Sequence, residues 1–271
     1  MYGTTYNQES NILSLDKHDC GLLSNASVTF KSLLSIHQTT SKTVKIVWPH
    51  TSVWNKPDRL NRNVYELYFA ANASDLPLMQ DVYFNAMIGD CNKFDFPSLI
   101  PIRNVYFNLA DEVRNKQDSL VKAYNIDFAN TIVILYRGTD KLLEVPKVHP
   151  KYYLKDISSI KNFSDYRVLI QTDQHQILDY FKWSLKDQAF HIKEMPLTYT
   201  DQVMHNLQHD TGMSNYELGV NYLAVISILS KCKYVVYDTN NAGLWICIFR
   251  GHLRNTCQIF ANINILNRFE Y

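Results

Sequence analysis

The chain has 271 residues, of which 46% are hydrophobic, and its 27 basic and 26 acidic residues give a net charge of +1. This composition excludes a disordered or fibrous protein and suffices for one large hydrophobic core or two smaller ones. The balanced charge argues against a dedicated nucleic-acid binder, because such proteins carry an excess of Lys and Arg.

The cysteines and the hydropathy pattern indicate a cytoplasmic protein without a membrane span. The five cysteines are odd in number and show no Cys-x-x-Cys spacing, which is typical of free thiols in a reducing compartment. No apolar run approaches the roughly 20 residues that a membrane span requires, and the chain begins with polar residues.

The first half of the sequence predicts one strand among several helices. Residues 20–37 (CGLLSNASVTFKSLLSIH) are typical of a loop that enters a helix, and VKIVW at 44–48 is typical of a buried strand. Residues 56–69 and 104–124 have apolar residues at helical spacing. A polar stretch follows, so we predict an N-terminal domain over 1–126 and a C-terminal domain over 127–271.

From residue 130 onward, short apolar segments alternate with longer helical patterns, as in a parallel sheet with crossover helices. The predicted strands are 131–136 (TIVILY), 167–171, 189–193 and 234–237, followed by an apolar run at 258–266. The predicted helices are 149–160, 174–185 and 216–230, and a further buried helix at 243–251. The sequence therefore predicts an α/β protein.

Polar residues follow three of these strands, at the edge where open parallel sheets bind their ligands. They are Arg137, Gly138, Thr139, Asp140 and Lys141 after the first strand, Thr172 and Asp173 after the second, and Asp238, Thr239, Asn240 and Asn241 after the fourth. An arginine beside a glycine suits bidentate binding of a phosphate, and amides at a helix N-terminus also favour an anion. The alternative is an ion pair between Arg137 and Asp140 beside an ordinary helix cap.

Three ordered segments resemble the donor-binding motifs of a known family. VILYRGTDKLLEVPKVHPKYYLKDI, VLIQTDQHQILDYF and LSKCKYVVYDTNNAG are similar to motifs of α1,6-fucosyltransferases, nodulation fucosyltransferases and protein O-fucosyltransferases. The resemblance implies a GT-B fold of two Rossmann-like domains, with the donor nucleotide on the C-terminal one. It also implies that Arg137 holds the β-phosphate, that Asn240 and Asn241 lie at the phosphates, that Asp173 lies near the nucleotide, and that Lys141 lies near the reacting sugar.

Three positions depart from that family. Leu135 replaces a His and Val225 replaces an Asp, both of which help the family to recognise the nucleotide, and Gly138 replaces a second Arg. When a nucleotide base in a buried site loses a hydrogen-bond partner, its binding is weakened by about 1–3 kcal/mol. Fucose transfer from GDP-fucose is therefore the first interpretation, and transfer of another sugar, such as a pentose from UDP, is the alternative.

An inverting transfer needs a carboxylate within hydrogen-bond reach of the acceptor hydroxyl. Glu144 and Asp75 are the two candidates, and for each the alternative is a solvated loop carboxylate. Trp48 and Trp54 could stack on a sugar or pack in the core.

The chain offers little evidence for a metal. His205 and His209 have the spacing of a zinc helix, but Asn206 stands where the catalytic Glu of such a helix would be, and no Asp-x-Asp motif occurs. We therefore expect an inverting glycosyltransferase that needs no metal or other cofactor, with a nucleotide-sugar donor and a glycan acceptor. The competing hypothesis is a non-catalytic protein that binds a nucleotide or glycan.

Overall fold

A computed structural model of the chain describes residues 3–16, 21–58, 60–72, 76–84, 90–139, 148–200, 212–260 and 263–264. The elements before residue 130 are β1 (Thr4–Asn7), β2 (Ile12–Leu15), α1 (Leu22–Ile36), β3 (Lys45–Val47), β4 (Phe69–Ala70), α2 (Phe96–Tyr106), β5 (Asn108–Leu109) and α3 (Asp111–Ala123). Those after it are β6 (Thr131–Tyr136), α4 (Lys151–Ser158), β7 (Arg167–Thr172), α5 (His175–Leu185), β8 (Ala189–Phe190), α6 (Asn215–Lys231), β9 (Tyr234–Asp238), α7 (Asn241–Arg250), β10 (Thr256–Phe260) and β11 (Ile263–Asn264).

A six-stranded sheet forms the centre of the second half, with strand order β11-β10-β9-β6-β7-β8. Strands β10, β9, β6, β7 and β8 are mutually parallel, and β11 adds an antiparallel edge. This topology confirms the predicted α/β class. In the first half, β2 pairs antiparallel with β1 and parallel with β3.

The central strand β6 is buried on both faces, as its continuous apolar sequence predicts. Ile132, Ile134 and Tyr136 pack into one hydrophobic cluster with residues of α4 and α5, while Val133 and Leu135 pack into a second with residues of α6 and α7. The alternation follows from the two-residue period of a strand. Helices therefore cover both faces of the sheet.

The second cluster continues into the first half of the chain. It includes Phe30 of α1 and Ile102 of α2 together with Trp245 of α7. The Trp245 indole N–H donates to Ser27 Oγ at 2.9 Å. Residues on both sides of position 126 thus share one hydrophobic cluster, and the two-domain division stays a prediction.

Three predicted elements differ from the structure. The helix expected over 56–69 is wrong: the chain forms one 3₁₀ turn at Val64–Leu67 and then β4. Tyr65, Tyr68 and Phe69 are buried in the core, so their spacing imitates the apolar stripe of a helix. The charged helix begins at Asp111 rather than 104, and the strand expected over 189–193 ends at Phe190.

Two expectations concern the cysteines and the membrane. The described cysteines, Cys91, Cys232, Cys247 and Cys257, are buried free thiols, and Cys20 lies outside the described residues. Within the described ranges, no helix combines the length and the apolar character that crossing a bilayer would take.

Candidate functional site

The carboxyl ends of the neighbouring strands β9, β6 and β7 form the centre of the candidate site. The Arg137 backbone N–H, just after β6, donates to Asp238 Oδ2 at 3.1 Å. The next backbone N–H, of Gly138, donates to Asp173 Oδ1 at 2.9 Å. Two carboxylates from the flanking strands therefore hold two successive amides of the loop after β6.

The Arg137 side chain contacts Asp173 and Tyr222. Its Nε lies 2.9 Å from Asp173 Oδ2, and its Nη1 donates to the Tyr222 hydroxyl of α6 at 3.1 Å. The Arg137 side chain is 18% exposed and that of Asp173 is 6% exposed. The guanidinium is thus oriented by a mostly buried ion pair, and part of it still faces solvent.

Asp173 joins three groups of the loop after β6. Besides Arg137 and the Gly138 amide, it accepts a hydrogen bond from Thr139 Oγ1 at 2.9 Å. Its carboxylate therefore organises residues 137–139 into one conformation. The ion pair envisaged in the sequence was with Asp140, which lies outside the described residues, whereas the described partner of Arg137 is Asp173.

Asp238 is the second buried carboxyl group of the site. Burial raises its pKa from 3.8 to about 6, although hydrogen bonds from the Arg137 amide, the Asn240 side chain and Tyr153 act in the opposite direction. Asn240 Nδ2 donates to Asp238 Oδ1 and to the Asp238 carbonyl oxygen. The Asp238 carboxyl group therefore accepts several hydrogen bonds, and its protonation state changes near pH 6.

Two helices begin side by side at this edge of the sheet. Asn240 caps α7, because its Oδ1 accepts the Gly243 N–H at 2.8 Å. Asn241, in the first turn of α7, donates from Nδ2 to Ser24 Oγ in the first turn of α1 at 2.9 Å. The positive ends of two helix dipoles thus lie close together, which favours an anion between them.

The glycine at position 138 is required by its neighbours. A Cβ atom at this position would overlap the side-chain ends of Gln174 and Tyr136. Gln174 and Tyr136 are both buried, so neither can move easily into solvent. A second arginine at this position therefore does not fit without rearrangement.

The remaining described candidates are Thr172 and Thr239. The Thr172 hydroxyl accepts the Gln174 N–H at 3.3 Å, and Thr239 Oγ1 accepts from Gln258 Nε2 at 3.1 Å. Gln258 Oε1 in turn accepts the Cys91 N–H at 3.0 Å. Thr239 is thus connected through Gln258 to the first half of the chain.

The sequence pattern did not identify Ser24, Tyr222 or Gln258 as members of this site. Ser24 comes shortly after Gly21 at the start of α1, and this position at a helix N-terminus is the sequence feature that could have indicated it. Tyr222 and Gln258 reach the site through contacts distant in sequence, which no local pattern reveals.

Several candidates cannot be placed. Asp75, Asp140, Lys141 and Glu144 lie outside the described residues, and so do His205, Asn206 and His209. Within the described ranges, no three His, Cys, Asp or Glu side chains are arranged to hold a metal ion. Trp48 and Trp54 are 1% and 3% exposed, so both pack in the core.

Leu135 and Val225 are buried in the hydrophobic cluster, with exposures of 1% and 0%. Neither side chain carries a hydrogen-bonding group. The two positions where the fucosyltransferase motifs place a His and an Asp therefore belong here to the packing between β6 and α6.

No protein-family model and no curated protein sequence matches the chain. The structure is similar to that of the fucosyltransferase NodZ from Bradyrhizobium, with a TM-score of 0.54, 13% identity, and coverage of 92% of this chain and 96% of that one. This similarity shows that the chain has a fucosyltransferase-like fold.

Two further solved structures are similar over a smaller part. A NodZ α-1,6-fucosyltransferase soaked with GDP-fucose matches 58% of this chain and 48% of its own, with 17% identity and a TM-score of 0.41. The same enzyme co-crystallised with GDP matches 60% of this chain and 48% of its own, with 17% identity and a TM-score of 0.39. This chain thus spans about half the length of these two structures.

Proposed function

We propose that the protein is a glycosyltransferase that moves a sugar from a nucleotide-sugar donor to a glycan acceptor. The observation that carries the proposal is that Arg137, oriented by Asp173, lies at the same edge of the sheet as the N-terminus of α7, to which it is linked through Asp238 and Asn240. The N-terminus of α1 meets that of α7 through Ser24 and Asn241. This arrangement lies at the carboxyl edge of a parallel sheet, where such folds bind nucleotides. The fucosyltransferase-like fold supports it.

The proposed donor site works by stabilising the leaving diphosphate. Arg137 supplies a fixed guanidinium, and the helix N-termini supply backbone N–H groups and positive dipole ends. Because these groups are held before the reaction, they can neutralise developing negative charge without reorganisation. The proposed mechanism therefore needs no metal ion at the phosphates.

The proposed stereochemical course is inversion, with direct attack of the acceptor hydroxyl on the sugar. Asp75 and Glu144 remain the proposed general bases, and Lys141 is proposed to lie near the reacting sugar. A single displacement needs one carboxylate on the acceptor side, opposite the diphosphate.

The proposed donor is GDP-fucose, by resemblance of the sequence motifs to fucosyltransferases. Burial of the apolar Leu135 and Val225 means that neither offers a hydrogen bond to a base. UDP-linked sugars, including a UDP-pentose, therefore remain the alternative donors. A nucleotide- or glycan-binding protein without catalysis is the second alternative.

The donor can be identified by thermal-shift titration with GDP and with UDP. A ligand at 100 times its Kd stabilises the folded state by about 2.7 kcal/mol, which is readily detected. We expect stabilisation by one nucleotide, reduced in Arg137→Gln. Arg114→Gln is the matched control, because Arg114 lies on α3 in an exposed ion pair with Asp111. Absence of any shift with both nucleotides would disprove the site.

Catalysis can be tested by measuring GDP release from GDP-fucose and UDP release from UDP-xylose, each with and without EDTA. We expect release from one donor, unaffected by EDTA and reduced about 10²–10³-fold in Arg137→Gln, as for removal of one preorganised electrostatic contact. Nucleotide binding without release from either donor, with a range of glycan acceptors present, would support the non-catalytic alternative. Loss of release in EDTA would contradict the metal-free mechanism.

A further inference from the structure

A cavity of about 500 Å³ lies between the two halves of the chain, away from the candidate donor site. It is lined by the C-terminal ends of α2, α6 and α7 and by residues just beyond them. Its ionisable side chains are Arg103, Lys231, Arg250 and His252. None of the described residues that line it carries a carboxylate.

The two arginines of this cavity are partly buried without an opposing acid. Among the described residues, no Asp or Glu forms an ion pair with Arg103 or Arg250, and burial lowers the pKa of both. Arg103 Nη1 donates to the Phe249 carbonyl oxygen at 2.6 Å. Arg250 Nη1 donates to the carbonyl oxygens of Ser230 and Cys232, and its Nη2 donates to those of Lys233 and Arg254. Their charges are therefore met by neutral carbonyl groups.

Both arginines also keep an unused donor. The Nε atoms of Arg103 and Arg250 are buried and have no hydrogen-bond acceptor among the described residues. A buried donor of a charged group that lacks an acceptor costs about 1–3 kcal/mol or more. These Nε atoms are enclosed by the protein, and the other donors of Arg250 are all used by carbonyl groups. The donors left for a ligand therefore belong to Arg103, which makes one hydrogen bond, and to Lys231, whose ammonium group donates to Gln117 Oε1 at 3.0 Å.

The helix C-termini around the cavity do not cancel this charge. Each contributes roughly half a negative charge, so the three together offset about one and a half of the three full charges on Arg103, Lys231 and Arg250. An excess of about one and a half positive charges remains, before any protonation of His252. Such an excess in a partly desolvated cavity favours a dianion.

We propose that this cavity binds a phosphomonoester of a small organic molecule. The phosphate contacts Arg103 and Lys231, with Arg250 contributing its charge, and the organic part lies against Phe107 and Phe249, which line the same cavity. The volume of about 500 Å³ exceeds what a bare phosphate ion fills and lies within the range of small-ligand sites.

This site is separate from the candidate donor site because it lies further along α6. Tyr222, which contacts Arg137, lies near the middle of α6, whereas Ser227, Ser230 and Lys231, which line the cavity, come five to nine residues later. At 1.5 Å per helical residue, this corresponds to about 8–14 Å along the helix. The inference therefore does not depend on the proposed glycosyltransferase activity.

Isothermal titration calorimetry of the whole chain with glucose 6-phosphate, inorganic phosphate and glucose tests the proposal. We expect glucose 6-phosphate to bind more tightly than inorganic phosphate, glucose not to bind, and the affinity to fall as NaCl is raised. Lys231→Gln should weaken binding about fivefold, corresponding to about 1 kcal/mol for one exposed charge contact. Lys122→Gln is the matched control, because Lys122 is also an exposed lysine in the last turn of a helix.

Arg137→Gln distinguishes the two sites. It should leave the binding of glucose 6-phosphate unchanged, and loss of binding in this variant would overturn the proposal, because the phosphate would then occupy the donor site. Absence of heat from glucose 6-phosphate up to about 10 mM, ten times a Kd of about 1 mM, would also overturn it. Equal affinities for glucose 6-phosphate and inorganic phosphate would overturn the assignment to an organic phosphate.

Discussion

Replacing Asp173 by Asn should reveal how strongly the loop after β6 depends on one carboxylate. Asp173 pairs with Arg137 Nε and accepts from the Gly138 N–H and the Thr139 hydroxyl, each at 2.9 Å. The amide of Asn keeps the size of the side chain but removes its charge and turns one acceptor into a donor. Arg137 would therefore face a neutral group in a mostly buried position.

Breaking a buried ion pair from one side typically costs about 3–5 kcal/mol. Because the Arg137 side chain keeps 18% exposure, solvent can screen part of its charge, and we expect the lower end of this range, about 3 kcal/mol. For a chain of this size, that corresponds to a fall in melting temperature of about 5 °C. Urea denaturation followed by circular dichroism measures the free energy directly.

The control for this substitution is Asp179→Asn. Asp179 is exposed on α5, so its free energy of unfolding should change by about 0.5 kcal/mol or less. A double-mutant cycle of Asp173→Asn with Arg137→Gln should give a coupling energy of at least about 1 kcal/mol. If the two substitutions add within about 0.5 kcal/mol, the ion pair does not organise this site.

Three other measurements test separate parts of the structure. Burial raises the pKa of Asp238 from 3.8 to about 6, so the protonated carboxyl group stabilises the folded state fully below about pH 4, and this contribution is lost as the pH rises through about 6. Carbon-13 NMR should show the carboxyl signal of Asp238 titrating near pH 6. A midpoint near 4 would contradict the burial argument. Gly243→Ala places a methyl group against the buried ring of Tyr237 and should cost about 1–3 kcal/mol, whereas Gly3→Ala meets ordinary contacts and should cost about 0.5 kcal/mol or less. Trp245→Phe removes the indole hydrogen bonds from α7 to α1 and should lower the free energy of unfolding by about 1–3 kcal/mol. Calorimetry of this variant should still show one cooperative unfolding transition, and two separated transitions would show that the halves fold independently.

The amino-acid sequence determined the elements whose signals are local. The strand at Thr131–Tyr136 and the helix at Leu22–Ile36 begin and end close to where their apolar patterns predict. A continuous β-branched run and a regular helical period are strong signals because the buried residues of a strand or helix recur at the spacing of that element. The same reasoning failed for residues 56–69, where buried aromatic residues serve a 3₁₀ turn and a strand rather than a helix.

The sequence also identified Arg137, Asp173, Asp238 and Asn240 as polar residues after parallel strands, because strand order alone implies that such residues meet at one edge. It could not assign their partners. The ion pair between Arg137 and Asp173, and the hydrogen bond from Arg137 to Tyr222, depend on which strands and helices are neighbours in space.

Only the tertiary structure brought Ser24 to Asn241 and gathered Arg103, Lys231 and Arg250 around one cavity. Ser24 and Asn241 are separated by 217 positions along the chain, and Arg103 lies more than a hundred positions before Lys231 and Arg250, so no repeat or motif connects them. Their proximity follows from the packing of α1 and α2 against α7, which is set by a shared hydrophobic cluster. The sequence by itself thus determined the sheet and the polar loops at its edge, and the packing of the helices decided how the charges are paired.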